Sequence, residues 1–290
     1  MIYQKFFVIS RYIFAFLRMN TSIKRVLYVD SEMVPYLPES EISRTTRALA
    51  QKIQEKRVEI RPFVPRYGII NERKNQLHEV IRLSGLNIVI DNVDRPLIIK
   101  VASLPAARMQ VYFIDNEDYF RRKALYTDAD GNFFKDNGER AAFFARGVLE
   151  TVKKLRWSPD VIHCHGWISH ILPLYLKKCY KDDPIFQGCK VVLSLYGDTP
   201  VQTFADNFAE VVQYQGAGAE DTALLAEPTG INLAKLAIAH SDGVILASAD
   251  VPEELVAAAK DSNLPTLDYN KERIDSGAFV DDYKAFYDKL

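Results

Sequence analysis

The densest grouping of side chains able to do chemistry is VIHCHGW, residues 161–167. Ligands of open parallel sheets bind beyond the carboxyl ends of the strands. A strand ending at His165 would put that imidazole, Gly166 and Trp167 at such an end, with His163 and His165 on one face and Cys164 on the other. From there an imidazole can hydrogen-bond a sugar hydroxyl or a phosphate, and an indole can stack on a pyranose ring. The alternative is a satisfied core histidine at 163 and a packing role for Trp167. Strand geometry favours that alternative for His163 and a ligand contact for His165. A zinc site built from His163, Cys164, His165 and His170 would need tetrahedral convergence, which the opposite direction of Cys164 opposes, so no metal is expected.

Three further loops follow strands, after Asp30, Val64 and Leu195. The first, DSEMVPYLPESEISR (30–44), contains no glycine, so it is neither a dinucleotide fingerprint nor a phosphate-cradling P-loop. NAD and ATP readings lose their main support, and no cofactor is expected. Ser194 lacks the flanking glycines of a nucleophile elbow, which argues against an α/β-hydrolase. QGAGAED (215–221) follows no strand and reads as a surface loop.

The elements that must position these residues alternate. KRVLYVD (24–30) reads as a buried strand, 39–56 as a helix with Ile42, Thr46, Leu49, Ala50 and Ile53 at helical spacing, and VEIRPFVP (58–65) as a second strand. Residues 76–114 are strand-rich, with LNIVI, PLIIKV and MQVYFI separated by turn residues such as Asp91 and Asn92, and predict an antiparallel insertion at the sheet edge. Asp136 with Glu139 suggests a capping box opening a helix over 138–155. Strands at 160–165, 190–195 and 243–248 and helices at 168–180, 231–239 and after Pro252 continue the alternation, whereas 199–228 has no firm period. The economical fold is α/β, a doubly wound, mostly parallel Rossmann-like sheet in one domain over 21–290.

Composition narrows the partners. The chain has 290 residues, 48% hydrophobic and 26% charged, which suits a globular protein. Its 37 Lys and Arg against 38 Asp and Glu give no electrostatic reason to bind nucleic acid or anionic lipid. Three cysteines, Cys164, Cys179 and Cys189, fit reduced thiols in a cytoplasmic protein. The apolar opening MIYQKFFVISRYIFAFLR is interrupted by Lys5, Arg11 and Arg18 and lacks a cleavage site, so no membrane span is expected. An upstream start, with Met19 as the alternative, a peripheral amphipathic helix and a signal remain as readings of this 1–20 extension.

YVDSEMVPY (28–36), FVPRYG (63–68), VYFIDNEDYFRRKALYTDADG (111–131), DNGERAAFFARGVLE (136–150), WSPDVIHCHGW (157–167) and NLAKLAIAHSDGVILAS (232–248) together resemble the bacterial starch and glycogen synthases, in order and spacing. The resemblance covers about residues 24–255, the acceptor-side, N-terminal half of a two-domain GT-B fold. It implies transfer of glucose from ADP-glucose to the non-reducing end of an α-1,4-glucan with retention. It also implies a sugar contact by His165, the catalytic candidate, and substrate-binding positions at Trp167, Tyr67 and Glu32.

Departures from the family accompany the match. Gly166 replaces the aspartate between the histidine and the tryptophan, and Tyr196 and Gly197 replace a His-Asn pair. In the donor loop, the family's Lys-x-Gly-Gly becomes Pro38, Ser40 and Glu41. A carboxylate about 4 Å from a donor phosphate repels it by about 4 kcal/mol at an effective dielectric of 20, about three orders of magnitude in affinity. The family's second domain supplies the basic residues that hold the donor, and leaving-group stabilisation needs such preorganised charge. The expectations are therefore a glucan acceptor, weak or absent transfer by the chain alone, and completion by a separate donor-domain chain or a homo-oligomer. A non-catalytic glucan-binding or regulatory protein is the alternative.

Overall fold

The computed structural model describes residues 22–290 apart from 105, 106 and 108, so the readings of the first eighteen residues and of Met19 lie outside the described residues. In chain order the regular elements are β1 (Arg25–Asp30), α1 (Glu41–Glu55), β2 (Glu59–Pro65), β3 (His78–Glu79), β4 (Leu86–Ile90), β5 (Val93–Leu104), β6 (Met109–Asp115), α2 (Glu117–Phe120) and α3 (Asn137–Leu155). There follow β7 (Val161–His165), α4 (Leu172–Lys178), β8 (Lys190–Leu195), α5 (Phe208–Val212), α6 (Gly230–Ala239), β9 (Gly243–Leu246), α7 (Glu253–Asp261), β10 (Thr266–Leu267), α8 (Lys271–Asp275) and α9 (Phe279–Tyr287).

The strands make one sheet in the order β10-β9-β8-β7-β1-β2-β6-β5-β3, with β4 paired to β5. From β10 to β6 the pairs are parallel, and β3, β4 and β5 add in antiparallel fashion at the β6 edge. This is the doubly wound sheet with a strand-rich edge that the sequence alternation predicts. The hairpin between β4 and β5 turns at Asp91 and Asn92, both at positive φ, the conformation a tight two-residue turn requires.

Burial follows from where each strand lies. β1, flanked by β2 and β7, is buried from Val26 to Asp30, as a strand covered on both faces must be. On the Tyr28 face it meets α1 and α9, which pack on each other. The other layer contains α3, α4 and α6. Outside the sheet the Ile23 N–H donates to Asp288 Oδ1 at 3.0 Å, so α9 is fastened to the segment that leads into β1.

Two helix boundaries differ from the sequence expectation. The helix expected over 168–180 opens as a 3-10 turn, Trp167–Ser169, and becomes α-helical only at Leu172. Pro173 explains the delay, because proline lacks an N–H and is accommodated in a helix's first turn. Asp136 does precede α3, but it makes no side-chain cap. Its carboxylate is held by the Arg122 guanidinium at 2.5 and 2.9 Å, while Glu139 accepts from the Tyr119 hydroxyl at 2.6 Å, so both acids of the expected capping box are engaged elsewhere. Within the unassigned stretch 199–228, α5 and the buried Phe204, Phe208 and Leu225 supply packing, Phe204 lying against both Phe208 and Trp167.

Candidate functional site

The carboxyl ends of β1, β7 and β8 lie side by side, and the register pairs Asp30 with His165 and His165 with Ser194. As strand alternation requires, the His163 and His165 rings share a face, their centroids 3.8 Å apart. His163 is buried with both nitrogens engaged: Nδ1 lies 2.6 Å from the Tyr287 hydroxyl and Nε2 2.8 Å from Ser194 Oγ. His165 is also fully buried; its Nδ1 lies 2.8 Å from the Tyr196 hydroxyl, and its Nε2 has no partner among the described residues. Burial holds the pKa of His163 well below the usual imidazole value and that of His165 at about 3, so both rings are neutral.

Asp30 is the residue sequence reasoning passed over in this cluster, although it terminates β1 as His165 terminates β7. Neither carboxyl oxygen has a partner among the described residues, and burial raises its pKa well above the carboxylate range. Two imidazoles, the Asp30 carboxyl and the tyrosines Tyr28, Tyr196 and Tyr287 make this floor polar, and burial disfavours charge on each of them.

Beside the floor stands an aromatic wall. Tyr67 donates its hydroxyl to Tyr126 at 2.9 Å, and Tyr126 meets Trp167 edge-on at 4.7 Å. Phe133 and Phe204 pack on the same indole at 5.6 and 5.5 Å, leaving Trp167 2% exposed. Its backbone N–H donates to Asp198 Oδ2 at 2.9 Å. Burial pushes the half-buried Asp198 carboxyl up to about 6, with the Trp167 N–H opposing and the charges of Glu32 and Glu41 adding to the rise. Asp198 sits in the β8 loop singled out from sequence, one residue beyond the pair compared with the family.

The donor-loop positions surround the start of α1. Ser40 is its N-cap: Ser40 Oγ accepts from Ser43 N–H at 3.0 Å, and Ser43 Oγ accepts from Ser40 N–H at 2.8 Å, a reciprocal capping box. Ser40 Oγ also donates to Glu32 Oε2 at 2.7 Å. Burial raises the Glu32 pKa, and that hydrogen bond opposes the rise. Pro38 is exposed, and Glu41 is half-buried in the first turn of α1, where its charge raises the pKa values of Tyr196, Asp198 and Tyr283. Glu41 thus acts electrostatically on the crevice. Gly197 brings the β8 loop onto the loop after β9, since a Cβ there would stand 2.8 Å from that of Asp250.

His170 offers a clean test of the burial chemistry. It is nearly inaccessible, neither ring nitrogen has a partner among the described residues, and burial holds its pKa at about 3. A folded pKa depressed below the unfolded value near 6.5 contributes stability that is complete above pH 6.5 and is lost as the pH falls towards 3. Leucine at this position has no such loss. The stability of His170→Leu relative to the parent should rise by about 2 kcal/mol between pH 7.5 and pH 5. Urea midpoints at the two pH values read this directly, and a pH-independent difference would refute the buried neutral imidazole.

A profile of the starch synthase catalytic domain family matches residues 25–266. The glycogen synthase of Chlorobium limicola is 34% identical over 244 residues, 82% of this chain and 48% of that protein. That of Chlorobium luteolum is 42% identical over 173 residues, 59% of this chain and 35% of that protein. The chain thus spans less than half the length of these curated relatives. The catalytic domain of Arabidopsis thaliana starch synthase IV, solved with ADP and acarbose, superposes with a TM-score of 0.67 at 15% identity, over 86% of this chain and 51% of that one, a likeness of fold. Sequence and fold agree, and the chain belongs to the starch synthase catalytic-domain family.

Proposed function

We propose that this chain serves α-1,4-glucan synthesis as an acceptor-side module: its crevice holds the neutral glucan. Glucosyl transfer from ADP-glucose then depends on a donor-binding half in the same or a separate polypeptide. The observation that carries this reading is the N-terminus of α1. A helix N-terminus is a natural anion site, yet here Ser40 and Ser43 satisfy each other's N–H groups, the Glu32 carboxylate is bound to Ser40, and Glu41 occupies the first turn. A diphosphate meets carboxylates where it would need N–H groups or a cation. Neutral sugar hydroxyls, by contrast, are good partners for carboxylates and phenols.

A purely binding, non-catalytic role is the second reading. It is favoured by the full burial of His165 with its Nδ1 committed to Tyr196, which leaves no exposed imidazole for a reacting sugar. On either reading the protein works in the cytoplasm, and on the first a donor-binding half, on a separate chain or in a homo-oligomer if not in the same polypeptide, completes the assembly.

Labelled ADP-glucose and glycogen separate the readings. The purified chain alone should incorporate no label but should be retarded in a glycogen affinity gel. Incorporation that disappears in His165→Ala would establish a self-sufficient transferase and overturn the proposal. Absence of both incorporation and retardation would remove the glucan.

A further inference from the structure

Gly166 adopts φ 80° and ψ 152°, a region closed to residues with a side chain. A Cβ at this position would stand 2.6 Å from Ser31 Cβ, closer still to Ser31 Oγ, and 3.0 Å from Asp198 Oδ2. The space in which a residue-166 side chain would begin is therefore bordered by the carboxylate of Asp198, which reaches it from the β8 loop and accepts the Trp167 N–H. Ser31 Oγ borders the same point, fully buried and without a partner among the described residues.

We propose that Asp198 is the sugar-binding carboxylate of this crevice, delivered from the β8 loop into space that is open because residue 166 is glycine. The inference rests on the glucan-binding reading given above. The Asp198 carboxylate is held by the Trp167 N–H and by its own backbone N–H, which orient it and leave further lone pairs for hydroxyl donors. Its neighbours suit a neutral sugar. The hydrogen-bonded Tyr67 and Tyr126 phenols lie within the electrostatic reach of both Asp198 and Glu32. A carboxylate accepting a sugar hydroxyl forms a charge-assisted hydrogen bond, stronger than a neutral pair.

The test is calorimetric titration of the full chain with maltoheptaose at pH 7.5, on the parent, Asp198→Asn and Asp198→Ser. Asparagine keeps a side-chain oxygen at the same reach, able to accept the Trp167 N–H, and removes the charge, so a merely structural role would survive in it; serine removes the charge in a smaller side chain. Weakening of about tenfold or more, with an unchanged melting midpoint, is the expected result. The serine variant keeps the test open if asparagine disturbs the fold. Parent-like affinity in a folded variant overturns the role of Asp198 and leaves the glucan reading standing. No binding by the parent overturns the glucan reading, and the role of Asp198 falls with it.

Discussion

Gly166→Asp, which puts back the residue the family carries, should destabilise the protein by about 3 kcal/mol or more rather than restore anything. Two independent costs add. The backbone at φ 80°, ψ 152° is essentially reserved for glycine. The new Cβ would also overlap Ser31, whose side chain is fully buried directly after β1 and has no room to withdraw. A third cost is electrostatic, since the added carboxylate would face Asp198 across the same space. Urea denaturation at pH 7.5 measures the effect, and a variant as stable as the parent would show that the 166–198 region rearranges freely. Activity regained together with stability would contradict the need for glycine beside Asp198.

The second large effect is at the other end of the histidine pair. Tyr287→Ala should cost about 4 kcal/mol, because it empties the volume of a fully buried aromatic side chain. Tyr287→Phe keeps the volume and removes only the hydroxyl, leaving His163 Nδ1 unpaired at a cost of about 1–3 kcal/mol. Measuring both variants divides packing from hydrogen bonding. The damage should also reach the crevice, since His163 lies ring to ring with His165. Glycogen retention should therefore weaken in Tyr287→Ala although residue 287 lies outside the aromatic wall. Near-equal stabilities for the two variants would mean that the site collapses around the cavity.

The parallel sheet was legible because buried strands such as VLYVD and VIHCH are short apolar runs spaced by helices, a pattern that survives without tertiary information. The edge hairpin was legible because Asp91 and Asn92 tolerate the left-handed backbone. Helix starts were less so. Asp136 and Glu139 have the composition of a capping box, but the Arg122 and Tyr119 partners that draw them away are remote in sequence. The capping box that does form, Ser40 with Ser43, lacks the Glu or Gln that usually advertises one.

At the site, the positions of His165, Trp167, Glu32 and Glu41 around one set of strand ends follow from topology, and strand alternation alone orders the histidines. What could not be read was accessibility. Phe133, Phe204 and Tyr126 come from separate loops to enclose Trp167, and no local period announces that convergence. The significance of Gly166 was likewise hidden, since Ser31 and Asp198, which crowd it, come from the loops after two other strands.

The attachment of α9 across β1 has a consequence for the order of events during synthesis. Tyr28 contacts Tyr287 across 259 positions of sequence, and Ile23 is tied to Asp288 across 265. β1 leaves the ribosome long before α9, and its Tyr28 face cannot receive this part of its cover until the chain has grown on to Tyr287. During that interval only α1 can cover this face, and the part that α9 will bury stays open, the kind of surface that chaperones shield and that aggregation exploits.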